Sequence, residues 1–438
     1  MEKEQNTHTL PPKGTAFSPD EHLRSSVQSF ARKYARVSLF CFNLLIAAIV
    51  LNILAWVVLI TRPTRPHVSW NPIVDRYGPE AAEKAFRLVY ENMPRNEVDK
   101  LLTETWGRPV AFHPFTLFRE RPYRGQYVNI DEWGFRYSKD QEPWPPSRKN
   151  INIFIFGGST TFGYGVADWQ TVPSAIQDSL RRTFPTQRIV VYNFGTNSFY
   201  SSQERAYLQF LLSEGYVPDV AVFIDGLNEF FYIDNVPKYS SQLSEMLDII
   251  VAEKPPPSPW AAAAKQLPLI RLLQLMGKKE HGFAVADGDD PNALTQADVA
   301  YFNRPEVIGK VISTYLANKR MIEGAGEQFR FSTLFVWQPV PSYHFDLRRH
   351  LFPKDCKKMF SAFGYPKMRQ LYEEGKLGQN FLWAADLQTT APDPVYLDMV
   401  HYSPQFSRLL GETIANALGP RIKEMSQHRI THESASPQ

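Results

Sequence analysis

Four short stretches of this 438-residue chain carry residue types suited to nucleophilic chemistry. "FIFGGSTTFGYG" (154–165) ends an apolar run in two glycines and then offers a hydroxyl, Ser159. "NFGTNS" (193–198) supplies Gly195, "DGLNEF" (225–230) supplies Asn228, and "LDMVHYSP" (397–404) sets Asp398 three residues before His401. A serine becomes a nucleophile when an imidazole takes its proton and a carboxylate orients that imidazole and stabilises its cation. Ser159, His401 and Asp398 are the candidates for those three roles. A tetrahedral oxyanion also needs donors fixed before the reaction begins. The backbone N–H groups of Ser159 and Gly195 and the side-chain amide of Asn228 are the expected set.

Each stretch has an ordinary reading when taken alone. Glycine-rich strand ends are common, and a serine there can simply cap a helix. No Gly-Lys-Ser/Thr follows at P-loop spacing, and "GYGVAD" lacks the third glycine of a dinucleotide fingerprint. Thr161 stands where an α/β-hydrolase elbow would have its second glycine. Asp398 and His401 precede an expected helix with Ser403 as N-cap and Pro404 at its first position, stopping at Gly419-Pro420. The conjunction is what separates chemistry from punctuation, because all four stretches fall at the end of a strand or the start of a helix.

The elements that must position them are legible as an alternation. "INIFIF" (151–156), "RIVVYNF" (188–194), "DVAVFID" (219–225), "FSTLFVWQ" (331–338) and "FLWAAD" (381–386) read as strands covered on both faces. Helical patterns lie between them: from an N-cap at Asp168 to Phe184, around 202–214, and over 305–323. Strands alternating with helices predict a central parallel sheet flanked on both sides. In such sheets reactive groups gather beyond the carboxyl ends of the strands.

The order of the four stretches resembles the SGNH, or GDSL-like, hydrolase superfamily. Gly157-Gly158-Ser159-Thr160 matches its serine block, Gly195 its glycine, Gly226-Leu227-Asn228 its asparagine block, and Asp398 with His401 its last block. Glu229 stands where the family has an aspartate, and Gly158 where Gly-Asp-Ser has its aspartate. The resemblance spans roughly 150–420. It implies a three-layer flavodoxin-like α/β fold, no metal or organic cofactor, and a serine esterase acting on an ester acyl group. It further implies that tethered members act on acyl or acetyl groups of cell-surface polysaccharide. Hydrolysis is the first expectation; an O-acyltransferase with the same triad, or a degenerate glycan-binding module, are the alternatives. Gln338 and Arg136 are candidate substrate contacts.

Val37 to Ile60 is 24 residues without a charge. As a helix it would be about 36 Å long, enough to cross a hydrocarbon core of about 30 Å. Its length and its late start argue for a retained signal anchor over a cleaved peptide. Arg24, Arg32, Lys33 and Arg36 precede it, against Arg62, Arg65 and Arg76 after it, which favours a cytoplasmic N-terminus and an extracytoplasmic catalytic part. The expected organisation is a tail (1–36), a transmembrane helix (37–60), a membrane-proximal helical segment (61–108, split at Pro94), and the hydrolase domain (109–425). An insertion over about 232–304 interrupts that domain, and a disordered tail (426–438) follows it. A net charge of +3 and the lack of any long like-charge block exclude a nucleic-acid arm. Two cysteines exclude a disulfide framework, and no His/Cys/Asp spacing suggests a metal site. The lack of an Asn-x-Ser/Thr acceptor fits a bacterial inner-membrane protein.

Overall fold

The structure, a computed structural model, describes residues 19–61, 71–251, 259–277, 300–353, 356 and 360–434. The start of the expected tail, much of the insertion and the last four residues lie outside the described set. In chain order the main elements begin with α1 (Pro19–Thr61), α2 (Pro79–Val89), α3 (Arg95–Trp106), β1 (Ile151–Gly157), α4 (Val172–Thr183) and β2 (Ile189–Asn193). Then come α5 (Ser201–Ser213), β3 (Val220–Asp225), α6 (Ser240–Val251), α7 (Pro259–Gln266) and α8 (Pro268–Gly277). The last are α9 (Pro305–Phe329), β4 (Ser332–Trp337), α10 (Ser361–Glu373), β5 (Phe381–Trp383) and α11 (Pro404–Ser434).

By contact these elements form two compact units: Met1–Thr64 with Pro255–Ala284, and Arg65–Lys254 with Val285–Gln438. In the smaller unit, α1 carries an apolar stretch, Val27–Val58, long enough to cross a membrane and almost uncovered by protein. α8 packs on it, and the Leu269 N–H in the first turn of α8 donates to Asn52 Oδ1 (3.1 Å).

The larger unit is built on the five strands, all parallel, in the order β2-β1-β3-β4-β5. This is the flavodoxin-like order, with its reversal between β1 and β3. The sheet is two-faced because residues alternate sides along a strand. Phe154, Phe156, Tyr192, Phe223, Phe335 and Trp337 point to one side, against Tyr207 of α5, Tyr315 of α9 and Tyr365 of α10. Ile151, Ile153, Ile155, Val191, Val222 and Val336 point to the other, against Ile176 of α4 and Leu410, Ile414 and Leu418 of α11. Each such side chain contributes about 1.5–3 kcal/mol on burial, so the five runs alone select a sheet with helices on both faces.

α2 and α3, expected as a separate membrane-proximal segment, belong to the same unit as the sheet. Their Phe86, Val98, Leu101 and Leu102 share a core with Phe162, Tyr164 and Leu397. Residues 110–130 form two short antiparallel ladders on this base, Val110–His113 with Leu117–Glu120 and Tyr123–Arg124 with Asn129–Ile130.

Two local expectations are corrected and one element is added. α4 starts at Val172, capped by Thr171, whose Oγ1 accepts from the Ser174 N–H; Asp168 is committed elsewhere. α11 does not stop at Gly419-Pro420 but runs to Ser434, past the expected domain end at 425. Proline costs the ladder one donor, and burial of Ile422 and Ser426 beyond it holds the helix together. α10, with Pro366 inside it, had no counterpart among the expected elements.

Candidate active site

Ser159 leaves β1 through Gly157 and Gly158 and opens a single helical turn, Ser159–Phe162, closed by Gly163 in the left-handed conformation. The two glycines have a steric origin. A Cβ at 157 would fall 2.1 Å from Thr161 Oγ1, and one at 158 would fall 2.4 Å from Asn228 Nδ2. The glycines let the turn close back on the strand and let the Asn228 amide lie against the backbone beside Ser159.

His401 and Asp398 arrive on the loop that enters α11. His401 Nε2 lies 2.9 Å from Ser159 Oγ, and His401 Nδ1 lies 2.7 Å from Asp398 Oδ2. Asp398 Oδ1 accepts the N–H groups of Val400 (2.9 Å) and His401 (2.8 Å). Burial works against a charge on this carboxyl, but His401 and the two N–H donors outweigh it and hold its pKa down at about 2. The imidazole is walled by two aromatics: Tyr164 stacks on it at 5.3 Å and Trp106, the last residue of α3, meets it edge-on at 5.6 Å. These two walls went unread in the sequence, because nothing local ties an indole at 106 to a histidine at 401.

Asn228 Nδ2 donates to the Phe199 carbonyl (2.7 Å), which orients the amide and leaves its second hydrogen for another acceptor. Gly195 does not fill the role expected of it. Its N–H donates to Asn193 Oδ1 (3.0 Å), and a Cβ there would fall 2.4 Å from the Phe162 nitrogen. It is a packing glycine beneath the turn that Ser159 opens, with its donor already used. Asn193 is the unforeseen residue, since its Nδ2 also reaches the carbonyls of Thr161 (3.2 Å) and Phe162 (3.3 Å). The sign it left was an asparagine ending an otherwise apolar strand. Three residues past Gly195, Ser198 adopts φ 63 and is partly exposed.

The two candidate substrate contacts turn out to be supports. Arg136 is fully buried. It pairs with Asp168 (2.8 Å) and donates to the carbonyls of Phe162 (3.0 Å), Gly163 (2.6 Å) and Val166 (2.7 Å). A guanidinium with that many protein acceptors fastens the loop after Ser159. Gln338, also buried, lies beyond the end of β4, and its Oε1 accepts from Thr160 Oγ1 (2.7 Å). The Tyr402 hydroxyl lies within reach of the same oxygen (3.0 Å) and of the Pro339 carbonyl (2.7 Å). Gln338 thereby ties the residue after the serine to the residue after the histidine.

Glu229, at the position where the family resemblance expects an aspartate, accepts the Ser201 N–H (2.7 Å) and Ser201 Oγ (2.9 Å) at the start of α5. Burial pushes its pKa up to about 7, against the pull of those two bonds. Among the described residues, no group of three or more His, Cys, Asp or Glu side chains has the geometry to hold a metal ion.

No family model and no curated protein sequence matches the chain. Solved structures similar to it include a protein of the G-D-S-L family from Desulfitobacterium hafniense DCB-2, at 14% identity and TM-score 0.31, over 61% of this chain and 100% of that one. The esterase EstA from a Pseudoalteromonas species, in a monoethylphosphonate-inhibited form, is similar at 12% identity and TM-score 0.34, over 63% and 100% of the two chains. The acetylxylan esterase Axe2 from Geobacillus stearothermophilus is similar at 13% identity and TM-score 0.29, over 61% and 92%.

Proposed function

We propose that this chain is a membrane-anchored serine ester hydrolase of SGNH type. The observation that carries the reading is the unbroken chain from Ser159 Oγ through His401 to Asp398, at 2.9 and 2.7 Å. Ser159 Oγ attacks the ester carbonyl carbon as His401 Nε2 takes its proton. Asp398, ionised at any physiological pH, balances the imidazolium. The carbonyl oxygen becomes an oxyanion, met by the Ser159 N–H at the start of its helical turn and by the free hydrogen of Asn228. The intermediate collapses with release of the alcohol, which leaves with the proton from His401. Water then repeats the sequence on the acyl-serine and frees the acid.

α1 serves as the anchor, with the N-terminus in the cytoplasm and the triad on the outer side. The substrate class is an acyl or acetyl ester of a carbohydrate or lipid at that surface. The test is hydrolysis of p-nitrophenyl acetate by the full chain in detergent. Native protein should turn over and take a fluorophosphonate label. Ser159→Ala should lose both, with a fall in kcat of about 10⁴-fold or more. Equal turnover by the two proteins would remove Ser159 from the chemistry. Following the acyl group when a polysaccharide acceptor is added separates hydrolysis from transfer.

A further inference from the structure

Asn228 does not grip the chain alone. Its side chain holds the Phe199 carbonyl (2.7 Å), and its neighbour Glu229 holds the N–H (2.7 Å) and the hydroxyl (2.9 Å) of Ser201. Two consecutive residues after β3 thus clasp the end of the β2–α5 connection and the first residue of α5. Ser201 Oγ is also held by the Asn318 amide of α9 (3.0 Å), so the clasp is tied to a long buried helix. The Phe199 carbonyl and the Ser201 N–H belong to adjacent peptide planes that share one Cα. Each plane is rigid, so fixing the second limits how far the first can turn. The acceptor that aims the Asn228 amide is therefore steadied by Glu229.

The carboxyl that does this has no cation to answer it. Glu204 of α5, Asp225 at the end of β3 and Glu229 are all buried. Asp225 points to the same side of the sheet as Phe223 and is paired with Trp337 of β4. Glu204 lies one turn before Tyr207 and Leu208, which pack on that side. Among the described residues, the charged groups acting on Glu204 and Asp225 are carboxyls of this trio, and Glu229 is opposed in its burial by Ser201 alone. Asp225 Oδ1 and both Glu204 oxygens accept no hydrogen bond. The other groups that face the trio are phenols: Tyr315 of α9, Tyr365 of α10 and Tyr200 at the start of α5. Behind them stand only more acids, Glu323 beside Tyr315 and Asp234 with Tyr232 beside Tyr200. Buried carboxyls packed together without a cation hold protons. An ionised Glu229 would also set a negative charge next to the residue whose amide meets the oxyanion, where little water screens it.

We propose that Glu229 is a positioning residue for the ester hydrolysis: as a neutral acid it clamps Ser201 and so aims the Asn228 amide at the oxyanion. With its proton on Oε2, Glu229 offers a carbonyl oxygen to the Ser201 N–H and a hydroxyl to Ser201 Oγ, a pattern that a glutamine amide reproduces. Aspartate is one methylene shorter and does not span to both groups. The inference rests on the serine-hydrolase reading of Ser159 and on Asn228 as a donor.

The test is kcat for p-nitrophenyl acetate by the full chain in detergent, with Ser159→Ala defining the turnover that belongs to the site. Asn228→Ala should lower kcat by about 10²–10³-fold. Glu229→Ala should lower it by about tenfold or more, with KM moving less, and the double variant should be no slower than Asn228→Ala, because Glu229 acts through that amide. Glu229→Gln should restore most of what alanine loses. The ratio of its kcat to the native value should climb severalfold from about pH 6 to about pH 8.5, as the native carboxyl ionises and the amide does not. Should Glu229→Ala fail to fold, Ser201→Ala removes one bond of the clasp: its kcat should fall severalfold, and not at all in an Asn228→Ala background. Losses at 229 and 228 that multiply overturn the proposal, as does a ratio of glutamine to native kcat that ignores pH. Turnover that survives Ser159→Ala rejects the hydrolase site itself, whereas Ser159-dependent turnover with multiplying losses rejects the role of Glu229 alone.

Discussion

Alanine at position 158 places one methyl group where the structure has room for none. The backbone there is extended, at φ −81 and ψ −158, so alanine is tolerated conformationally and the perturbation is purely one of contact. The new Cβ would lie 2.4 Å from Asn228 Nδ2 and 3.2 Å from the Phe199 carbonyl oxygen. A comfortable carbon–nitrogen contact is about 3.5 Å, so the amide must retreat by roughly 1 Å and give up its 2.7 Å bond to Phe199. A donor moved that far no longer meets the oxyanion. Loss of one such donor costs about 10²–10³ in kcat, or about 3–4 kcal/mol of transition-state stabilisation. Overpacking by one methyl costs the fold about 1–3 kcal/mol, which a thermal melt measures separately. The assay is kcat for p-nitrophenyl acetate in Gly158→Ala, Asn228→Ala and the double variant. If the methyl acts by displacing the amide, the double variant is no slower than the worse single, and the coupling energy equals about one donor. Losses that multiply to about 10⁵, or a Gly158→Ala enzyme with native kcat, would refute the reasoning.

Two further substitutions probe the supports. Arg136→Met leaves Asp168 buried without its cation and removes one donor from each of three loop carbonyls, so unfolding free energy by chemical denaturation should fall by about 3–5 kcal/mol; a fall under about 1 kcal/mol would contradict the contacts. Glu229 has its folded-state pKa raised from 4.5 to about 7, so its neutral form is the one the fold prefers. Its contribution is complete below the unfolded value and is lost as pH rises through about 7. The melting temperature should therefore decline across that window, and Glu229→Gln should flatten the decline; an unchanged slope would clear Glu229 of it.

Much of this arrangement is legible in the chain because it rests on local rules. The alternation in "INIFIF" puts isoleucine on one side of the sheet and phenylalanine on the other, and both faces found helices. Ser159, Asn228, Asp398 and His401 could be picked out because each ends or begins an element, and the structure brings them to one crevice. What was not legible depends on partners distant in sequence. Whether the Gly195 N–H is free turns on the rotamer of Asn193, and whether Arg136 meets solvent turns on Asp168 and three carbonyls folding around it. Pro420 was an apparent stop because propensity weighs against proline within a helix, and the burial of Ile422 outweighs propensity.

Trp106 closes α3 and leans on His401, while the rest of α2 and α3 forms a floor with Phe162 and Tyr164. α2 and α3 are thus a wall of the candidate site and not a spacer apart from it. Trimming the chain to residue 109 for convenience would strip the indole from the imidazole and open the underside of the turn at Ser159 to water. A working fragment has to begin ahead of residue 71.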